Sequence, residues 1–262
     1  MNIGQSALIK KDIRSITSNK QIFAVLLIVP LALTIVLPSI FVFVSAFAPD
    51  AALDFQALLD MLPAANSEYS QQQRILGLIL NNIMPPFFLI VPIMASSVMA
   101  ASSFVGEKEK HTLETLLYSP LSLRQLFQSK ILAGFFVGMM VSYISFAAML
   151  LVVEMEMFFL TGNIIMPDTS WLAIMFLIAP AIALVAIAVT VRSSAKARTV
   201  EEAQQRAVFL IFPILALVIG QFTGIILISP GFLWGLGVVL IALDVLLMRG
   251  AAEKFTYEKL LR

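Results

Sequence analysis

Residues 106–125, GEKEKHTLETLLYSPLSLRQ, put six ionisable groups (Glu107, Lys108, Glu109, Lys110, His111 and Glu114) into their first nine positions. On either side lie the runs 75–106 and 131–153, neither of which contains an Asp, Glu, Lys, Arg or His. About 20 apolar residues suffice for a helix to cross the hydrocarbon core of a bilayer, so the charged stretch reads as a polar turn between two crossings. The composition agrees. The chain has 262 residues, of which 60% are hydrophobic and 13% charged, with a mean hydropathy of +0.97; soluble domains carry about a quarter charged residues. An all-α integral membrane protein with a single transmembrane domain is expected. The first apolar run begins after Lys20 and is too long for a secretory leader, so the N-terminus is expected to be retained. The absence of cysteine excludes disulfides, thiolate catalysis and cysteine-ligated metals. A formal charge of +1 gives no sign of a nucleic-acid partner.

Uncharged runs cover 21–49, 75–106, 131–153, 169–191 and 207–243. The last is too long for one crossing and contains Ser229-Pro230-Gly231, a turn signal. Six spans are therefore expected, at about 22–48, 78–105, 131–153, 171–191, 207–228 and 231–249. With both termini in the cytoplasm, sixteen of the seventeen Lys and Arg residues fall inside and only Arg74 outside, as the positive-inside rule requires. Seven acids then lie outside: Asp50, Asp54, Asp60, Glu68, Glu154, Glu156 and Asp168. Residues 2–20 place Ile9, Ile13 and Ile16 on one helical face and Lys10, Arg14 and Ser18 on the other, the pattern of a helix lying in the membrane interface. Outside, Asp50 is a candidate cap for a short helix carrying Phe55, Leu58, Leu59 and Leu62 and ending at Pro63.

Within the charged segment, residues 107–118 read as a short amphipathic helix, with Leu113, Leu116 and Leu117 on one face and Pro120 as its stop. Ser122 and Gln125 then form an S-x-x-Q capping box, opening a helix that runs through Lys130 into the third span. The stretch 106–130, GEKEKHTLETLLYSPLSLRQLFQSK, resembles the E-[RK]-E-x-[GH]-T-L-E-x-L-L-x-x-P-[LV]-S segment of permease subunits of ABC transporters of the ABC-2 type, or type V exporters. His111 stands where many relatives have glycine. In that family the segment is a coupling helix seated in a groove of the nucleotide-binding subunit. The resemblance implies that Glu107, Lys108, Glu109, Thr112, Leu113, Glu114 and Leu117 contact the ATPase. Charged groups on a short helix fix register on a partner, and leucines supply buried area.

No G-x-x-x-x-G-K-[ST] occurs, so the resemblance implies that ATP and Mg sit on a partner ATPase, that this chain binds no cofactor, and that it is not itself an enzyme. It further implies a second permease copy or paralogue, and GxxxG pairs at 134/138, 220/224 and 231/235 allow close helix contacts. Short re-entrant outer helices join the last two spans in the family, which makes Gln221, Phe222 and Phe232 candidates for an outer gate. The compact layout resembles permeases that export bacterial amphipathic peptides, such as phenol-soluble modulins or bacteriocins, across the plasma membrane; drugs, lipids and sodium ions are alternative cargoes.

Other candidates are weaker. Glu154 and Glu156 suit the outer interface, Asp244 lies about 7 Å from the inner end of the last span, and Arg74 can pair with Glu68. Asn81, Asn82 and Gln221 are polar residues within spans. Catalytic and metal-ligating sets are not expected: H-E-x-x-H and G-x-S-x-G are missing and the single histidine is His111. A secondary transporter is the main rival, and would call for mid-membrane acids or paired broken helices.

Overall fold

A computed structural model describes residues 3–47, 71–109, 112, 120–162, 164, 167–194, 197, 199–222 and 230–254. The described regular elements are helical: α1 (Ile3–Ser18), α2 (Lys20–Phe47), α3 (Gln71–Leu78), a π turn π1 (Ile79–Ile83), α4 (Met84–Phe88), α5 (Ile90–Glu109), α6 (Leu123–Thr161), α7 (Thr169–Ala173), a second π turn π2 (Ile174–Ile178), α8 (Ala179–Ser194), α9 (Val200–Val208), α10 (Ile211–Phe222) and α11 (Pro230–Lys254). Among the described residues five stretches are long and apolar enough to cross a bilayer: Ile22–Phe47, Gln73–Glu109, Leu123–Leu160, Thr169–Ser194 and Val200–Gln221. A sixth, Gly231–Leu247, is apolar but shorter. Outward faces are rich in hydrocarbon, with Phe47, Phe159 and Phe209 each at least 70% exposed. Lipid is the solvent that such a surface requires.

The amphipathic start is a helix, and it is docked rather than free. Gln5, Leu8, Ile9, Asp12 and Ile16 form its buried stripe, at the 3–4 residue spacing of one helical face. The stripe packs mainly on α6 and also on α2. Of the three isoleucines expected on that face, Ile9 and Ile16 are buried and Ile13 is half-buried. Asn19 breaks the chain between α1 and α2. Its side chain accepts from the Ile22 amide at 3.3 Å, as an N-cap does.

The second crossing is interrupted in its first half. A π turn shifts backbone bonding to i→i+5, and the Met84 amide accordingly donates to the Ile79 carbonyl. Pro85 comes next in that register and has no amide to give the Leu80 carbonyl; the Trp171 indole donates to it instead, at 3.2 Å. Pro86 cannot serve Asn82, four residues earlier, and Gln221 Nε2 donates to the Asn82 carbonyl at 2.7 Å. Side chains from the fourth and fifth crossings thus satisfy carbonyls that the two prolines leave open. Around Trp171 stand Phe88 and Phe146, with ring centroids 5.6 Å and 4.9 Å away, at the centre of the largest apolar core.

Ser122 caps α6 as the sequence predicts. Its Oγ accepts from the Gln125 amide at 3.3 Å and its own amide donates to Gln125 Oε1 at 3.0 Å. The helix then continues for 39 residues to an αL glycine, Gly162. A Cβ on Gly138 would come within 2.0 Å of Ser96 Oγ and 3.3 Å of the Ser96 backbone, so this glycine lets α5 and α6 touch. A Cβ on Gly134 would meet Ile187 of α8 at 3.3 Å. This first GxxxG pair therefore serves contacts inside the chain, while Gly231 and Gly235 face open space.

The charged turn departs from expectation at its start. Residues 107–109 do not begin a separate helix; they form the last turn of α5, which runs on from the second crossing to Glu109. The Thr112 amide bonds back to the Glu107 carbonyl at 2.9 Å. The reason is tertiary, because Glu107 finds cationic partners on two other helices. Residues 110–111 and 113–119, and with them Leu113, Glu114, Leu116 and Leu117, lie outside the described residues. So does the outer helix expected after Asp50.

Candidate functional site

Three elements converge at one end of the bundle: the docked face of α1, the last turns of α5 and the first turns of α6. The meeting point is Lys130, whose side chain is 1% exposed. Its Nζ lies 2.6 Å from the Ser103 carbonyl and 3.1 Å from Ser103 Oγ, and 2.7 Å from Glu107 Oε2. The two contacts to Ser103 are hydrogen bonds, and the third is an ion pair in which Glu107 Oε2 accepts no hydrogen bond. The Phe104 ring centroid, 5.3 Å away, adds a cation–π contact. Ser103 acts as a relay, accepting from Lys130 while donating its hydroxyl proton to Asp12 Oδ2 at 2.7 Å. Asp12 itself is 3.7 Å from Lys130 Nζ. Glu107 Oε1 completes the set by accepting from Lys11 Nζ at 2.7 Å.

The set holds two cations and two anions. A charge moved out of water needs close partners: Lys130 has the Ser103 oxygens and the Glu107 carboxylate, Asp12 has the Ser103 hydroxyl, and Glu107 has both lysines. Lys11 is the solvated member, with a side chain 55% exposed. Burial works against its ammonium, but the hydrogen bond and charge of Glu107, together with the charge of Asp12, hold its pKa above the ordinary lysine value.

The geometry makes this a fastening, with nothing in it that resembles a reaction centre. It ties α1 to the second and third crossings immediately beside the point where the chain leaves α5 for the charged turn and returns at Ser122. A further helix closes the other flank of α5. Thr199 caps α9 through the Glu202 amide, and the small residues Ala203 and Ala197 pack on Ala101 and Val105.

A family model described as ABC-2 family transporter protein matches residues 64–236, well over half of the 262. The chain belongs to the ABC-2 transporter family. It is thus a multi-pass membrane component of an ABC transporter, a class that works with an ABC ATPase. No curated protein and no solved structure matches it. The matched segment of this ABC-2 subunit includes Ser103, Glu107 and Lys130 but begins after Lys11 and Asp12, so the fastening joins the matched region to the flanking N-terminal helix.

Of the coupling residues that the resemblance implied for the ABC-2 subunit, Glu107 points into the bundle, Lys108 is half-buried and Glu109 is exposed at the end of α5. Thr112 is exposed, with its hydroxyl 3.3 Å from the Glu107 carbonyl. Of the gate candidates, Gln221 is 4% exposed and bonded to Asn82, Phe232 is about half-exposed on α11, and the Phe222 side chain and residues 223–229 lie outside the described residues. Elsewhere, Glu156 accepts from Ser39 of α2 at 2.7 Å. Sequence reasoning missed Asp12 and gave Lys130 no role beyond its sidedness. One signal was present: Asp12 occupies the same face as Leu8, Ile9 and Ile16, where a lone acid needs a cation opposite.

Proposed function

We propose that this chain is the permease half of an ATP-driven exporter for hydrophobic or amphipathic cargo, working as a dimer with a second copy or a paralogue. In this reading α11 is a sixth crossing, both termini and the Lys130 end of the bundle face the cytosol of a bacterial cell, and ATP and Mg are bound by a separate ATPase. That ATPase grips the segment 107–118 and draws it between two positions. The observation that supports the reading most is the buried cluster of Lys130, Glu107, Asp12 and Ser103 at the root of that segment. A handle that is pulled must be anchored to the parts it moves, and here the root is bonded to α1, α5 and α6 together.

In this reading the residues of the segment have separate roles. Glu107 holds the root and acts through the fold, whereas Glu109, Glu114, Leu113 and Leu117 meet the partner. The test is to pull down the full chain from its native membranes and measure the ABC ATPase that co-purifies, comparing the natural chain with Glu109→Lys/Glu114→Lys. The variant should keep its thermal unfolding temperature, lose most of the bound ATPase and stop exporting. Retention of both ATPase and export would reject the handle. For the cargo, deletion of the gene should reduce secretion of amphipathic peptides of the phenol-soluble modulin or bacteriocin kind; undiminished secretion would reject that class.

A further inference from the structure

At the end of the bundle remote from Lys130, a cavity of about 350 Å³ opens sideways between α6 and the α7–π2 segment. That volume lies within the range of small-molecule sites, roughly 300–1,000 Å³. One wall is Tyr143, Phe146 and Leu150 of α6; the other is Trp171 and Phe176. The floor is rigid, because Trp171 and Phe146 belong to the three-ring cluster with Phe88 and the Trp171 indole is bonded to the Leu80 carbonyl. The sides are open: Tyr143 and Phe176, whose rings are 6.2 Å apart, are 40% and 67% exposed. Phe176 belongs to π2, and single π turns are frequent at functional sites.

One end of the groove is charged. Asp168 lines its mouth, caps α7 through the Ser170 amide and is held in turn by Asn81 Oδ1, which accepts from the Asp168 amide at 3.0 Å. Phe176 lies eight residues further along, about 12 Å at helical rise, so an apolar slot ends in a fixed carboxylate. The segments expected on this side of the membrane carry seven acids and one base. An anionic head would be repelled there and a cationic one attracted.

We infer that this groove binds a single-chain cationic amphipath, with its alkyl tail along Tyr143, Phe146 and Phe176 and its ammonium head at Asp168. This goes beyond the export reading and does not depend on it, since the groove binds without ATP and whichever way the bundle faces.

The chain has two tryptophans, so Trp234→Phe leaves Trp171 as the sole emitter. The full chain carrying this change, in phosphatidylcholine nanodiscs, is titrated with 12-bromododecyltrimethylammonium, 12-bromododecanol and 12-bromododecanoate, each plotted against its membrane-bound fraction. Bromine quenches indole only at short range. The cationic probe should quench saturably, with a half-saturation at least fivefold lower than that of the carboxylate. Asp168→Asn should shrink this gap to less than twofold, and Leu150→Phe, which fills the slot, should abolish saturation. An unchanged emission maximum before titration identifies variants that retain the fold. Quenching that rises linearly for all three probes, or saturates equally for all three, overturns the inference. So does a charge preference that survives Asp168→Asn.

Discussion

Lys130 and Asp244 are both buried charged residues in helix seams, and the molecule treats them in opposite ways. Lys130 donates two hydrogen bonds to Ser103 and pairs with Glu107, while Asp12 and Glu107 accept from Ser103 and Lys11 in turn. Asp244 is 4% exposed, on the α11 stripe with Leu233 and Gly237 that packs against π2 and α8, and neither of its carboxylate oxygens has a hydrogen-bond partner among the described residues. Burial alone therefore says little about what a charged residue does for the fold. What separates the two seams is the supply of partners: the α1–α5–α6 seam is cross-linked by its charges, and the α8–α11 seam is interrupted by one.

The largest expected effect follows from removing the centre of the satisfied cluster. Lys130→Met leaves Asp12 and Glu107 facing each other without their shared cation, and should cost about 3–5 kcal/mol, read as a steep loss of folded yield and of thermal stability in micelles. The triple change Lys130→Met/Glu107→Gln/Asp12→Asn should recover part of that loss. A Lys130→Met protein as stable as the natural one would end the comparison. Asp244→Leu should act in the other direction, with stability unchanged or raised by about 1 kcal/mol, since replacing an unpaired buried polar group relieves its desolvation. Destabilisation on the scale of Lys130→Met would show that the two seams are alike.

The smallest effect belongs to Lys11→Met, under about 1 kcal/mol, because water screens a half-exposed pair. Its sign with pH is fixed by the raised pKa. The contribution is complete below the ordinary lysine value of 10.5 and is lost only as pH climbs through the higher folded value. The stability difference between Lys11→Met and the natural chain should therefore be flat from roughly pH 6 to 9; a difference that changes within that window would mean that Lys11 is not held as described.

Local signals in the sequence carried much of this structure. The Ser122–Gln125 capping box needs only residues within one turn of each other, and the helix it opens runs through Lys130 as read. The amphipathic start was legible from isoleucine spacing, and the apolar runs from composition. What escaped was tertiary. The end of α5 was placed too early because a dense run of charge looks like the start of something new, whereas Glu107 continues the old helix by meeting Lys130 and Lys11 across distances of 23 and 96 residues in sequence. Asp12 could be marked as an acid on an apolar face, but its partners Ser103 and Lys130 could not be named from the sequence. Nothing local to Pro85 and Pro86 points to Trp171 and Gln221, the distant side chains that take up the carbonyls those prolines release. The first GxxxG pair looked available to a second copy until Ser96 was found against Gly138.

One dimension of α6 has a mechanical corollary. Its 39 unbroken residues make a rod of about 58 Å, nearly twice the hydrocarbon thickness. The rod is nipped against its neighbour at Gly138, about 22 Å from its foot at Leu123 and about 34 Å from its tip at Thr161. Such a beam is a seesaw with unequal arms. A sideways step of the foot swings the tip the opposite way through a distance about half as large again, with no hinge required anywhere along its length.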